Sequence, residues 1–146
     1  MRGFTLVELI VILVILGILA VVVLPRFFDR KAFDARAFLD ETAAALRYAQ
    51  KAAIAQRRTV CAAFTANSVT LTVRSTPGSG SCTTPLAGPA GTAPYTVTAP
   101  GGVTFTSYPA SLSFDAEGRP SAGATLAVSG ISATLTVEAE TGYVHP

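Results

Sequence analysis

From Phe4 to Leu24 the chain carries only two polar residues, Thr5 and Glu8, and this run constrains everything else the chain can do. As a helix rising 1.5 Å per residue, a run of that length crosses the hydrocarbon core of a bilayer. A secretory signal would have a basic start, a shorter apolar core and a small-residue cleavage site behind it. Here Leu24-Pro25-Arg26-Phe27-Phe28 follows, with no Ala-x-Ala-like site, so the segment is expected to stay on the protein.

Glu8 is the anomaly within the run. A carboxylate well inside a membrane span costs about 2.5 kcal/mol or more and marks a functional position. Near a helix end, the same side chain snorkels to the headgroups. The residues alone leave both readings open.

The segment resembles the N-terminus of the type IV pilins and pseudopilins. The match is a short leader, Met1-Arg2-Gly3, then Phe4-Thr5-Leu6-Val7-Glu8, then an apolar helix with Gly17 and Pro25. The resemblance implies cleavage by prepilin peptidase between Gly3 and Phe4 and N-methylation of Phe4. It also implies that Glu8 pairs with the N-terminal amine of a neighbouring subunit during assembly. A buried ammonium and a buried carboxylate are tolerable together where either alone is not. The implied partners are other pilin or pseudopilin subunits, prepilin peptidase, an inner-membrane assembly platform, and membrane lipid before assembly. The implied location is the inner membrane with a periplasmic C-terminal part, then a filament at the cell surface. Charge counting alone points to the reverse orientation, with Arg2 before the run against Arg26, Arg30 and Lys31 after it. Asp29 and Asp34 dilute that cluster, and the expected orientation follows the resemblance.

The chain's 146 residues amount to one domain. Residues 1–3 are the expected leader, 4–24 a membrane or filament-core helix, 25–56 an amphipathic helix continuing it, and 57–146 a globular antiparallel β domain. The fold class is α+β: a long N-terminal helix packed on an antiparallel β-sheet domain. Pro25 removes a helical hydrogen bond and clashes with the turn before it, which predicts a kink or a locally extended segment. Gly17 is a second soft point. Beyond Pro25, Phe28, Leu39, Leu46, Ala49 and Ala53 share one helical stripe, with Phe38, Thr42, Ala45 and Ala52 beside it. Most of the charges lie elsewhere, on a face that reads as solvated.

Helical character ends near Gln56-Arg57-Arg58, and from Thr59 the period becomes two. Strands are predicted at Thr59–Phe64, Ser68–Arg74, Tyr95–Thr98, Val103–Ser107, Ser111–Phe114, Thr125–Val128 and Ala133–Val137, with a last short one at Tyr143-Val144. The stretch Ser75 to Pro94, rich in Gly, Pro, Ser and Thr, reads as a long irregular loop. Cys61 and Cys82 fall in the part expected to be exported, where an even cysteine count reads as a disulfide. Closing a loop of that size stabilises by roughly 3 kcal/mol in the chain-entropy model.

Phe114-Asp115-x-x-Gly118-Arg119, two alternating strands, and a final Thr141-Gly142-Tyr143-Val144 resemble the GspH/FimT-type minor pseudopilins. With Leu24-Pro25-Arg26-Phe27 and Phe33-Asp34-Ala35, the pattern is most similar to minor pilins of the mannose-sensitive haemagglutinin (MSHA) system. A minor pseudopilin of a type II secretion system and a DNA-binding minor pilin are the alternatives. DNA-binding relatives carry basic residues near the C-terminal tail, whereas here the tail reads Gly142-Tyr143-Val144-His145-Pro146. Arg57, Arg58, Arg74 and Arg119 are scattered, so a nucleic-acid partner is not expected.

No catalytic constellation is recognisable. The single histidine, His145, is penultimate, and there is no P-loop, dinucleotide glycine pattern or zinc-protease motif. Two cysteines and one distant histidine are too few for a metal site. The chain reads as a structural protein without a cofactor.

Overall fold

The computed structural model describes residues 5–78 and 80–146, the side chains of residues 21–29 excepted. One helix, α1, runs from Leu6 to Gln56. It continues through Gly17 and Pro25, so the extended segment anticipated at Pro25 is not formed. A proline forfeits one backbone hydrogen bond, and the cooperative turns on both sides outweigh that loss. The helix ends at Arg57, whose φ of 50° is left-handed. Arg57 N–H donates to Ile54 O at 3.2 Å and Arg58 N–H to Ala53 O at 3.1 Å. That pair of bonds is a Schellman ending, which satisfies carbonyls the helix cannot reach itself.

The second half of α1 buries Ala35, Phe38, Leu39, Thr42, Ala43, Ala45, Leu46, Ala49, Ala52 and Ala53. All but Ala35 and Ala43 belong to the stripe picked out by helical spacing. Phe28, assigned to the same stripe, has its side chain outside the described residues. Thr42 is fully buried, and its hydroxyl donates to Phe38 O at 2.8 Å, so no polar orphan results. The many alanines bring strands close to the helix axis.

Among the described residues, nine strands make two antiparallel sheets. In chain order they are β1 (Val60–Thr65), β2 (Ser68–Val73), β3 (Thr84–Pro85), β4 (Tyr95–Thr98), β5 (Phe105–Ser107), β6 (Ser111–Phe114), β7 (Ala124–Val128), β8 (Thr134–Val137) and β9 (Val144–His145). The first sheet runs β3-β2-β1-β6, with β4 also on β2, and the second runs β5-β7-β8-β9. Strand β2 takes two partners along one edge: β3 opposite Thr72 and Val73, and β4 opposite Ser68 to Leu71. Because β3 falls inside the stretch read as irregular, the loop from Ser75 to Pro94 is partly built into the sheet. The Cys61–Cys82 disulfide ties the same loop to β1, with Cα atoms 6.1 Å apart.

Alternation sets the faces. Val69, Leu71 and Val73 of β2 point into the core, while Ser68, Thr70 and Thr72 lie outward. Toward the start of the head the core is aromatic. Phe38 packs on Phe105 at 4.7 Å between ring centroids, Phe64 meets Phe105 edge-on at 5.9 Å, and Tyr108 covers Phe105 at 5.6 Å.

Candidate functional site

The N-terminal turn of α1 is held by its own cap. Thr5 is extended, with φ −80° and ψ 150°, and its hydroxyl accepts from Glu8 N–H at 3.3 Å. Leu9 N–H adds a bond to Thr5 O at 3.2 Å. The spacing Thr5-x-x-Glu8 is that of a capping box, which places a carboxylate in the first turn, at the positive end of the helix dipole. Glu8 is solvent-exposed. Gly3 and Phe4, the expected processing pair, lie outside the described residues.

Behind Glu8 the helix is an apolar rod. Twelve large hydrophobic residues from Leu6 to Leu19 are each 41% to 74% exposed, and they lie on all sides. Burying a side chain of this kind yields about 1.5–3 kcal/mol, so the rod left in water forgoes on the order of 20 kcal/mol. A helix that is hydrophobic all round belongs in lipid or inside an assembly. Among the described residues no helix is long and apolar enough to cross a membrane. The expected span from Phe4 to Leu24 extends outside them, at Phe4 and at the side chains of residues 21–24. Gly17 has nothing within 4 Å of where a Cβ would stand, so no contact within the subunit requires a glycine there.

The C-terminal motifs form a clasp on the head. The side-chain amide of Gln50 donates to Gly118 O at 2.9 Å and to Thr141 O at 2.8 Å. Arg47 donates from Nε at 3.2 Å and Nη2 at 2.9 Å to Val144 O. The turn between β6 and β7 is closed by Asp115, whose Oδ1 accepts from the N–H groups of Glu117 at 2.9 Å and Arg119 at 2.8 Å. Gly118 and Gly142 are left-handed, at φ 83° and 67°, and each lies against the helix. A Cβ on Gly118 would stand 2.7 Å from Ile54 Cδ1, and one on Gly142 would stand 2.7 Å from Gln50 Nε2. Phe114 to Arg119 and Thr141 to Val144 are thus pieces of one junction with α1. Asp115 is occupied within this turn.

His145 lies on β9. Its Nε2 is 2.9 Å from Glu138 Oε1, and its ring stacks on Tyr143 at 5.3 Å. The hydrogen bond to Glu138, with a lesser one to the Pro146 carbonyl, raises the imidazole pKa above its ordinary value. Among the described residues, no three His, Cys, Asp or Glu side chains gather as a metal site would require.

Residues 1–24 match the family model of the prokaryotic N-terminal methylation motif. Over 57 residues the chain is 44% identical to PilA5, the type IV narrow pilus major component of Thermus thermophilus. That match covers 39% of this chain and 49% of PilA5, so the chain spans about half the length of this curated relative. The fold is similar to a crystal structure of FimU, a type IV minor pilin of Pseudomonas aeruginosa. The TM-score is 0.57 at 19% identity, over 82% of this chain and 90% of FimU. A second crystal form of FimU gives a TM-score of 0.54 at 19% identity, over 75% and 90% of the two chains. The N-terminal segment is similar to the methylation motif of residues 1–24, and the fold is similar to that of FimU. The long helix with an antiparallel β domain, expected from the sequence, is the pilin architecture seen in FimU.

Proposed function

We propose that this chain is a structural subunit of a type IV pilus-like filament. Prepilin peptidase cuts after Gly3 and N-methylates Phe4, lipid holds the apolar helix, and an inner-membrane platform moves the subunit into a filament at the cell surface. There Glu8 neutralises the N-terminal amine of a neighbouring subunit, while Gly17 and Pro25 let the helix adjust. The observation that carries this reading is the capped helix start with a lone carboxylate, followed by an apolar rod exposed on all sides. Such a rod needs a partner along its whole length, and the methylation motif spans the same residues.

The finer reading is a minor subunit of an MSHA-type pilus. It draws on the C-terminal junction motifs and on the likeness to FimU, a minor pilin. A major-subunit reading has support of its own, because PilA5 is a pilus major component. A type II secretion pseudopilus would use the same helix physics, and deletion phenotypes in the native host separate the two machines.

The test is N-terminal mass analysis of the protein from its native host, with and without prepilin peptidase. The expected peptide starts at N-methylated Phe4 and depends on the enzyme. An intact Met1, or a cut near residue 25, would overturn the reading. Abundance in sheared filaments then decides between minor and major subunit.

A further inference from the structure

The head separates its charges by sheet. From residue 57 to 114 the chain carries three arginines, Arg57, Arg58 and Arg74, and no Asp, Glu or Lys. From 115 to 146 it carries Asp115, Glu117, Glu138 and Glu140 against one arginine, Arg119. The first stretch holds every strand of the first sheet together with β5, and the second holds β7, β8 and β9. Arg58 precedes β1 and Arg74 follows β2, and the pairing of Val60 with Val73 brings them to one corner. There Arg58 Nη2 donates to Arg74 O, while Arg58 Nε is buried without a partner among the described residues. No ion pair joins any of the three arginines to an acidic side chain among the described residues. Asp115, which follows the Val60–Phe114 pair of β1 and β6, commits Oδ1 to its own turn. The acidic corner is gathered by Gln50, whose amide bonds both Gly118 and Thr141. In it Glu117 pairs with Arg119 at 3.8 Å and Glu138 with His145 at 2.9 Å, and exposed Glu140 has no ion pair among the described residues. The two sheets lie to opposite flanks of α1. Tyr48 meets Ala87 and Tyr95 beside the first sheet, and Gln50 meets the turn before β9. At 3.6 residues per turn these two helix positions are about 200° apart.

We propose that the basic corner of one head docks on the acidic corner of a second copy of this chain. The inference rests on the filament reading and names a contact between heads within it. Charge complementarity selects the occupant. The two corners are opposite in sign and equal in formal charge with His145 neutral, so each finds its complement on another copy of the same molecule. A polyanion would be drawn to Arg57, Arg58 and Arg74 but repelled by Glu117, Glu138 and Glu140. Two different patches on opposite flanks make a heterologous contact. Each docked copy then presents a fresh corner, which lets the contact run on along a filament. Exposed charges of this kind set register and partner choice more than raw affinity. The apolar rods supply cohesion, and the corners fix how one head sits beside the next.

The test uses the full chain in its native host and two double variants. Arg57→Glu with Arg74→Glu turns the basic corner acidic, and Glu117→Lys with Glu140→Lys turns the acidic corner basic. Arg58, Asp115 and Glu138 are kept, because each bonds within the head. As the only copy, each variant should enter sheared filaments roughly tenfold less than wild type, relative to the membrane pool. Expressed together, the two should recover, since their reversed corners match each other. Neutral versions, Arg57→Gln with Arg74→Gln and Glu117→Gln with Glu140→Gln, should melt like wild type and weaken the dependence of filament integrity on salt. Wild-type incorporation of either reversed variant alone overturns the proposal. Failure of the mixed pair to recover, when both melt like wild type, also overturns it and assigns the corners to a different partner. An unchanged salt dependence in the neutral versions does the same, and it decides the matter if a reversed variant does not fold. If the wild-type chain is itself absent from filaments, the filament reading fails; if wild type enters and the variants enter equally, only the corner contact is wrong.

Discussion

Arg47, in the middle of the helix's packed half, donates two hydrogen bonds to the carbonyl of Val144, a residue 97 positions further on. This contact locks the final strand to α1. The bond is charge-assisted and part-buried, so Arg47→Ala is expected to destabilise the head by about 1.5–3 kcal/mol. Thermal unfolding of the full chain in detergent checks this. Arg47→Lys should recover only part of the loss, because an ammonium cannot reproduce a planar two-pronged donor.

The glycines separate by environment. At Gly142 a side chain meets both a left-handed φ of 67° and a Gln50 amide 2.7 Å away. Gly142→Ala is therefore expected to cost about 2 kcal/mol or more, from backbone strain and a broken clasp together. Gly17→Ala meets open space and should stabilise the helix by about 1 kcal/mol. Helical content should rise in the Gly17→Ala protein, and the melting temperature of the head should fall in the Gly142→Ala protein. If the Gly17→Ala protein folds better and assembles worse, the glycine serves the filament.

Cys61→Ser with Cys82→Ser should lower stability by roughly 3 kcal/mol, through freeing the loop in the unfolded chain. Because β3 joins this loop to β2, limited proteolysis should cut the reduced protein between Ser75 and Pro94 well before the rest of the head opens. Equal protection with and without reductant would show that the sheet pairing alone holds the loop.

The contact of His145 with Glu138 has a definite pH sign. Its folded pKa lies above the unfolded reference of 6.5, so its contribution is full below that reference and fades as pH rises through the folded value. An NMR titration of the imidazole should give a midpoint above 6.5, and Glu138→Gln should lower it. The side chains are exposed, so the signature is the titration midpoint and not a large change in melting temperature.

Much of this fold was legible in local pattern. Helical spacing picked out Leu39, Leu46, Ala49 and Ala53, and all four are buried. Period-two alternation placed the longer strands to within a residue or two. Alternation names faces but not neighbours, so the division into two sheets could not be read, nor could β2's two partners on one edge. Strand β3 was missed because two residues, one of them proline, carry no period. The clasp was hidden for a different reason: Gln50 lies 68 and 91 residues from the carbonyls it bonds. The Thr5-x-x-Glu8 capping box had a sequence signal, masked by the apolar run around it. Gly3 and Phe4 fall outside the described residues, so their role rests on the motif.

Glu8 is where stability and assembly should come apart. It lies in the first turn, far from the core that begins at Ala35, and its backbone N–H, not its carboxylate, takes the Thr5 cap. Glu8→Ala and Glu8→Gln should leave the melting temperature of the head unchanged. In a filament, each would strand the neighbour's Phe4 amine in an apolar core without a counter-charge. Breaking a buried pair in this way costs about 3–5 kcal/mol, which corresponds to a loss of incorporation of roughly 10²- to 10⁴-fold. Co-expressing wild-type and Glu8→Gln subunits with distinct mass tags, then measuring their ratio in sheared filaments against the membrane pool, reads this directly. A ratio equal to that of the pool would remove Glu8 from the assembly contact and leave it a plain first-turn residue behind the Thr5 cap.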